Sequence, residues 1–225
     1  MSDLTIIIPQ HGRSDLTLAC VRSLRQHEPE PHPLIIVDDG SRSEHRNAIH
    51  AAGLPHVRLI DQPHAGVTAA WNRGLAAAET AFVLLLNNDV QARGPFVARL
   101  LAPLRKSPAV ATGARLRRET GLPPDVLARP PSEWFLEGWC LAARTADLRR
   151  VGGFDERMKL YFSDTDLQAR LLHAHRRGSD ALAAIGDLSL DHSGHQTTRR
   201  LVERRQQWRA DRAAFIAKWM ILNDE

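Results

Sequence analysis

An apolar run that begins at Phe82 leads directly into three polar residues, Asn87, Asn88 and Asp89. Side-chain oxygens of this kind bind Mg²⁺ or Mn²⁺, which commonly take one or two protein carboxylates and complete their shell with water and substrate phosphates. The same residues could instead form an ordinary turn, because Asn and Asp side chains bond their own backbone. This stretch alone leaves both interpretations open.

Polar residues also follow three other predicted strands, at the point where each one ends: Pro9-Gln10, Asp38-Asp39 and Asp61-Gln62. The carboxyl ends of parallel strands lie at one edge of a sheet, and in open α/β sheets ligands bind at that edge. Turn formation alone does not account for such a convergence. The pattern therefore predicts a ligand site that includes Asp89.

The elements that would position these residues alternate between strand and helix. Strands are predicted over 4–9, 34–37, 57–61 and 82–90, with helices over 14–27, 44–52 and 65–78. This alternation indicates an α/β fold, with a Rossmann-like, mostly parallel sheet flanked by helices and joined by right-handed crossovers.

After residue 105 the sequence changes character, with predicted strands over 110–116, 134–141 and 182–190, helices over 145–150 and 163–177, and a proline-rich loop over 121–131. We expect one domain over 1–195. It divides into a first half, 1–105, and a second half, 106–195. A helical extension follows over 196–225.

The C-terminal segment predicts a basic amphipathic helix over 198–222, in which Leu201, Trp208 and Phe215 are seven residues apart. The first interpretation is a helix that packs on the domain or makes a homodimer contact. The second is a membrane-surface helix with Trp and Arg at the interface. Nucleic acid is not an expected partner, because the chain has no recognisable binding motif and few aromatic residues outside predicted core positions.

The composition is that of a soluble globular protein, with 225 residues, 43% hydrophobic residues, 25% charged residues and a net charge of +4. No apolar run approaches the roughly 20 residues of a membrane span, and the N-terminus lacks signal-peptide features. Cys20 and Cys140 are therefore expected to be reduced. We expect a cytoplasmic protein whose C-terminal helix offers peripheral attachment to the inner face of the membrane.

Six motifs, in order, carry a resemblance to a known family. They are Ile6-Ile7-Ile8-Pro9; Val37-Asp38-Asp39-Gly40-Ser41; Ala65-Gly66-Val67 with Trp71-Asn72-Arg73-Gly74-Leu75; Leu86-Asn87-Asn88-Asp89; Val151-Gly152-Gly153-Phe154-Asp155-Glu156; and Ser163-Asp164-Thr165-Asp166-Leu167. From about residue 4 to residue 192 the chain resembles family 2 glycosyltransferases of the GT-A fold. It looks closest to bacterial members that build polysaccharides and lipopolysaccharides, among them rhamnosyltransferase-like proteins.

The resemblance implies a nucleotide-binding half over 1–105, an acceptor-binding half over 106–195, and a role for each matching residue. Asp164 is implied to be the general base, and Asp89 and His192 are implied to bind Mg²⁺ or Mn²⁺. The implied nucleotide-binding residues are Pro9, Gln10, Asp39, Gly66, Asn72 and Asn88, and the implied sugar or acceptor residues are Glu137, Trp139 and Asp166. The implied donor is a uridine or deoxythymidine diphosphate sugar, and the implied acceptor is a hydroxyl of a glycan or of a lipid-linked molecule.

Such residues could transfer a sugar by direct displacement with inversion. A cation on Asp89 would neutralise the leaving diphosphate, and Asp164 would take the proton of the attacking hydroxyl. Retention by double displacement would need a nucleophilic carboxylate as well, a role that Glu137 leaves open. Asp164 also has a competing interpretation, because Ser163 and Asp166 have the spacing of a capping box and acids stabilise a helix start.

Two departures from the family pattern bear on activity. The sequence Asn-Asn-Asp at 87–89 offers fewer carboxylates than the usual Asp-X-Asp, so metal binding should depend more on the diphosphate. Ser163 replaces the usual glutamate before the base. The alternative function is therefore a catalytically weak sugar-nucleotide-binding domain that acts as a subunit or scaffold.

Overall fold

The computed structural model describes residues 2–123, 126, 132–194 and 204–221. Its first half alternates strand and helix in the predicted order: β1 Leu4–Gln10, α1 Ser14–His27, β2 Leu34–Asp39, α2 Ser43–Ala51, β3 Val57–Gln62, α3 Val67–Ala77 and β4 Phe82–Leu86. The β-branched run of β1 is buried almost throughout, as expected of a strand covered on both faces.

The second half has mostly shorter strands, and its elements are β5 Val90–Ala92, α4 Val97–Lys106, β6 Ala111–Gly113, β7 Leu116–Arg118, β8 Trp134–Leu136, β9 Cys140–Arg144, α5 Thr145–Arg150, α6 Ser163–Ala174, β10 Leu182–Ala184, β11 Leu190–His192 and α7 Arg204–Ile221. Four segments that the sequence predicts as single strands are each divided into two strands, because polar residues and glycine interrupt the backbone hydrogen bonding between strands. Two of these breaks, at 87–89 and 137–139, carry predicted site residues. Most of the predicted proline-rich loop lies outside the described residues.

A seven-stranded sheet in the order β10-β6-β9-β4-β1-β2-β3 forms the centre of the fold. Strands β3, β2, β1 and β4 are mutually parallel, whereas β9 runs antiparallel to β4 and β6. The predicted α/β fold with a mostly parallel sheet is thus confirmed. Because β9 runs the opposite way, the residues that precede it lie beside the carboxyl end of β4.

Buried apolar side chains form a cluster on each face of the sheet. Ile7, Val37 and Leu85 face the cluster that also contains residues of α3 and α6. Ile6, Ile8, Leu84 and Leu86 face the cluster that contains residues of α1 and α4. This alternation follows from the period of two in a strand, and it fixes the register that aligns the strand ends.

The C-terminal helix α7 packs on the domain through Phe215 and Trp219, both buried in the first cluster. This confirms the interpretation of a helix that packs on the domain, and it uses much of the apolar face that a membrane or a second subunit would need. Trp208 and Met220 are the large apolar side chains that the described part of α7 exposes. Leu201 and the boundary predicted at residue 195 lie outside the described residues. In the described part of the chain, we find no helix with the length and apolar character needed to cross a bilayer.

Candidate active site

The ends of β1, β2 and β4 are joined by a buried chain of polar side chains. Thr17 of α1 donates to Gln10 Oε1 at 2.5 Å, and Asn88 donates through Nδ2 to the Thr17 hydroxyl at 3.0 Å. Gln10 Nε2 in turn donates to Ser41 Oγ at 3.3 Å. The structure therefore brings Gln10 and Asn88 together through Thr17, which the sequence analysis did not identify.

Asp39 ends β2, and its buried carboxylate binds the segment that leads into α3. It accepts hydrogen bonds from the backbone N–H groups of Ala65 and Gly66, at 2.8 and 2.9 Å, and from Gln62 Nε2 at 2.7 Å. Gly66 has a φ of +104°, a conformation that other residues rarely adopt. Asp39 and Gly66 thus meet directly, and Pro9 lies on the adjacent strand β1, paired with Val37.

Two histidines, His11 and His64, flank Asp39 with ring centroids 4.5 Å apart. Their Nδ1 atoms lie 2.8 and 3.1 Å from the Asp39 carbonyl oxygen, and His64 Nδ1 is also 2.9 Å from Asp39 Oδ2. The three residues have ligand types that suit a transition metal. Both Nδ1 atoms already form hydrogen bonds with Asp39, so hydrogen bonding is sufficient to explain why the three side chains lie together.

Asp89 and His192 form the centre of the predicted metal site. Strand β11 pairs with β5 so that His192 lies opposite Val90, directly after Asp89. His192 Nε2 lies 3.2 Å from Asp89 Oδ1, and both side chains are largely buried. Within the described residues, Nε2 makes no hydrogen bond. A carboxylate oxygen beside an imidazole nitrogen without a hydrogen-bond partner fits a shared Mg²⁺ or Mn²⁺, with diphosphate and water supplying the remaining ligands.

Trp139 packs against this pair. Its ring stacks on His192 with centroids 4.5 Å apart, and its backbone carbonyl accepts a hydrogen bond from Asn87 N–H at 2.9 Å. Trp139 Nε1 donates to Glu137 Oε2 at 2.7 Å, and Arg115 Nε lies 3.3 Å from the same oxygen. Glu137 therefore has two partners on one oxygen, a position better suited to orienting Trp139 than to acting as a free nucleophile.

Asp164 lies on the other side of the same turn, in the first turn of α6. A Cβ atom at Gly138 would lie 2.8 Å from both Cβ and Oδ2 of Asp164, so only glycine allows this close approach. The same oxygen, Oδ2, lies 3.4 Å from Arg117 Nη2. Contacts thus run without a gap from Asp89 through His192, Trp139 and Gly138 to Asp164.

Helix α7 supports the segment that enters α6. The buried carboxylate of Asp211 accepts hydrogen bonds from three consecutive backbone N–H groups, those of Lys159, Leu160 and Tyr161, at 3.0, 2.9 and 2.8 Å. Phe162 follows with a φ of +59°, a strained conformation that persists only where the surroundings enforce it. Strain of this kind, next to Asp164, is typical of functional sites.

Two of the predicted site residues are placed elsewhere by the structure. Asp166 is 0% exposed and contacts Arg170 Nε at 2.8 Å, Lys218 Nζ at 2.9 Å and Trp219 Nε1 at 3.1 Å, so its carboxylate anchors α7. Sugar or acceptor binding by Asp166 stays a prediction. The Asn72 amide bonds the turn after α5, donating to the Phe154 carbonyl at 2.9 Å and accepting from Phe154 N–H at 2.8 Å. Nucleotide binding by Asn72 stays a prediction.

A cavity of about 430 Å³ lies at the opposite edge of the sheet, near the amino ends of the first three strands, and is lined by residues that include Thr5, Leu34, His56, Arg58 and Glu79. It contains none of the predicted site residues. The acids at the carboxyl edge, and not this cavity, therefore define the candidate active site.

Comparison with known proteins agrees with this geometry. The sequence model described as "Glycosyl transferase family 2" matches residues 5–167, most of the chain. The chain belongs to glycosyltransferase family 2. The match contains Asp39, Asp89 and Asp164, whereas His192 and α7 lie beyond it.

Relatives of known sequence are only partly covered. The "Pre-mycofactocin glycosyltransferase" of Mycobacterium tuberculosis is 28% identical over 200 residues, which span 78% of this chain and 40% of that protein. The "Uncharacterized glycosyltransferase YibD" of Escherichia coli is 34% identical over 88 residues, which span 38% of this chain and 26% of that protein. The chain therefore spans less than half of the length of these curated relatives.

Solved structures share the GT-A fold. A mannosyltransferase from Pyrobaculum calidifontis, in complex with GDP-Man and Mn²⁺, superposes with a TM-score of 0.71 at 17% identity, covering 96% of this chain and 64% of that one. Glucosyl-3-phosphoglycerate synthase from M. tuberculosis, in complex with Mn²⁺, UDP and its product, gives a TM-score of 0.70 at 19% identity, covering 96% and 80%. These likenesses establish the fold, and none of them singles out a rhamnosyltransferase.

Proposed function

We propose that this chain transfers a sugar from a nucleoside-diphosphate sugar to a hydroxyl group of an acceptor, with inversion at the anomeric carbon. The observation that carries this proposal is the continuous path of contacts from the Asp89–His192 pair, through Trp139 and Gly138, to Asp164. It supports a leaving-group site next to a proton-acceptor site, with the 137–139 turn between them. Family membership supports the same reaction.

Each residue has a separate part in this reaction. Asp89 and His192 would hold the divalent cation, which supplies charge neutralisation to the diphosphate when bound. Asp39 fixes the start of α3, and Pro9, Gln10, Gly66 and Asn88 border the same edge, where the nucleotide would bind. Trp139 would pack against the transferred sugar and exclude water that would otherwise hydrolyse the donor.

Asp164 would act as the general base. As the acceptor oxygen forms its bond to the anomeric carbon, its proton passes to the Asp164 carboxylate, and the bond to the diphosphate oxygen breaks with both electrons leaving on the diphosphate. Glu137 is engaged by Trp139 and Arg115, which disfavours a covalent glycosyl intermediate and supports inversion.

For the biological setting, the resemblance supports a uridine or deoxythymidine diphosphate donor and an acceptor on a glycan or a lipid carrier in cell-surface polysaccharide synthesis. A cytoplasmic location, with attachment at the inner face of the membrane, belongs to the same proposal. Since Trp208 lies on the exposed side of α7 together with arginines, this side is where a membrane contact would form.

The deciding experiment is a calorimetric screen of uridine, deoxythymidine and guanosine diphosphates with and without Mn²⁺, followed by an assay of donor hydrolysis. We expect one diphosphate to bind with Mn²⁺ and its sugar nucleotide to be slowly hydrolysed. Tight Mn²⁺-dependent binding without transfer or hydrolysis would instead support the alternative of a sugar-nucleotide-binding scaffold. No binding of any diphosphate would contradict both.

A further inference from the structure

Arg117, at the centre of β7, lies between two carboxylates from different parts of the chain. Its Nη1 donates to Glu119 Oε2 at 2.6 Å, and its Nη2 lies 3.4 Å from Asp164 Oδ2. A guanidinium group presents its N–H donors in a rigid planar fork, so one arm fixes the direction of the other. Arg117 therefore connects Glu119 mechanically to Asp164.

The remaining contacts close this arrangement into a ring. Arg117 Nη2 donates to Thr165 Oγ1 at 3.0 Å, and the Thr165 hydroxyl donates to Glu119 Oε2 at 3.2 Å. Glu119 is buried, and its second oxygen accepts the Gly121 N–H at 3.0 Å. Each of these residues restrains another, which leaves little freedom for the Arg117 side chain.

Charge reinforces the geometry. Burial lowers the pKa of Arg117, but the carboxylates of Asp164 and Glu119 outweigh burial and hold this pKa above its ordinary value. Arg117 is therefore a permanent cation beside Asp164. Arg117 and Gly138 both contact Oδ2 of this carboxylate, and Oδ1 makes no hydrogen bond within the described part of the chain.

The glutamate that family members usually carry before the base is Ser163 in this chain. We propose that the Glu119–Arg117 pair positions Asp164, so that Oδ1 is directed toward the acceptor hydroxyl. Arg117 is a positioning residue in this scheme, because it acts through Asp164 and does not touch the substrate. The inference rests on the proposed function of Asp164 as the general base.

The test compares Arg117→Ala with Arg117→Lys and with Arg118→Ala, using the donor and acceptor that the wild type accepts. Arg118 is the neighbouring arginine on β7 and pairs on the surface with Glu133, at 2.9 Å, so it is a matched control. We expect Arg117→Ala to lower kcat by about 10- to 100-fold, because small displacements of a reacting group have effects of that size. Donor affinity should stay within about twofold of wild type, since the donor contacts lie on other elements.

Chemical rescue by added guanidinium ion distinguishes a positioning role of Arg117 from a loss of folding in the variant. Millimolar guanidinium ion should restore part of the kcat of Arg117→Ala but not of Asp164→Asn, and Arg117→Lys should lie between wild type and Arg117→Ala. If Arg117→Ala does not fold, Glu119→Gln should show the same selective loss of kcat. It weakens the restraint on the Arg117 guanidinium group but keeps the positive charge of Arg117.

If the wild type is active and Arg117→Ala or Glu119→Gln keeps the full kcat, the positioning role is overturned and the proposed function stands. An equal loss in Arg118→Ala would also overturn it. A wild type that transfers no sugar would instead overturn the proposed function, and the positioning role with it.

Discussion

The donor edge and the acceptor side of the site are built in different ways. We define the donor edge as the ends of β1, β2 and β4 with the start of α3, and the acceptor side as the 137–139 turn and the start of α6. The donor edge belongs to long parallel strands whose backbone ladders run through Gln10 and Asp39. The acceptor side comes from three-residue strands and loops, and side chains such as Asp211 and Arg117 position it.

Because the two regions are built differently, substitutions in them should have different effects. A backbone ladder tolerates the loss of one side chain, because the neighbouring strands keep their register. A loop held by a few buried hydrogen bonds does not, because each lost partner leaves buried donors or acceptors unsatisfied. We therefore expect changes on the acceptor side, including remote ones in α7, to affect turnover more than donor affinity.

The largest expected effect is that of Asp164→Asn, which separates chemistry from donor binding. Loss of a general base should lower kcat by about 10²- to 10⁴-fold. The affinity for nucleoside diphosphate should stay near that of wild type. Steady-state kinetics and calorimetry measure the two quantities, with the exposed Asp180→Asn as the control. Near-full turnover would remove Asp164 from the mechanism.

Asp89→Ala probes the point where the two regions meet. We expect it to abolish Mn²⁺-dependent binding of a nucleoside diphosphate, because the remaining imidazole of His192 cannot hold the ion alone. Calorimetry with and without Mn²⁺ reports this loss, and His192→Ala should show a smaller one. Asp61→Asn, at the end of the edge strand β3, is the matched control and should leave binding unchanged.

Asp211→Ala tests whether a remote residue controls the acceptor side. The change leaves three part-buried backbone donors without this acceptor and should lower the free energy of unfolding by about 3 kcal/mol. In the protein that remains folded, turnover should fall more than donor affinity. Urea titration and kinetics check both, with the exposed Arg209→Ala as control. An equal fall in the two would contradict the distinction between the regions.

Thr17→Val tests the donor edge in the same way. It removes the hydroxyl between Gln10 and Asn88 and should cost about 1 to 2 kcal/mol of stability, with weaker donor binding and unchanged kcat. Thr112→Val is the control, because the buried Thr112 hydroxyl has no hydrogen-bond partner within the described residues. A selective fall in kcat for Thr17→Val would reverse the assignment of this network to the donor edge.

The smallest expected effect concerns Asp155, in the turn before α6. The Arg157 hydrogen bond, assisted by Lys218, lowers the pKa of Asp155 from its ordinary value of 3.8. A lowered pKa in the folded state stabilises the fold fully above pH 3.8, and this stabilisation is lost gradually as the pH falls from that value through the lowered pKa. Arg157→Gln should therefore cost under about 1 kcal/mol at pH 7, and the difference from wild type should shrink as the pH falls below 3.8. Urea titrations at pH 7 and pH 3 measure the difference in the free energy of unfolding between the variant and wild type. An equal difference at both pH values would exclude this cause.

Several parts of the site could be predicted because they follow strand ends. Asp39 and Asp89 end apolar runs, and the resemblance added His192 and Asp164, which the structure places next to Trp139. Thr17, Arg117 and Asp211 were missed. Thr17 is a helical residue on a buried face, and Arg117 and Asp211 belong to segments whose partners are distant along the chain. The ion pair between Asp166 and Lys218 was also missed, because an acid at a helix start looks the same in sequence whether it faces a substrate or a lysine.

The sequence by itself determined the strand–helix alternation, the parallel sheet and the edge at which the acids gather, because hydrophobic periodicity and strand polarity are local properties. The tertiary structure alone decided which acids face each other across that edge. Those pairings depend on the antiparallel entry of β9, the return of β11 to β5 and the docking of α7, which arise from burial and close approach between segments that are far apart in the chain.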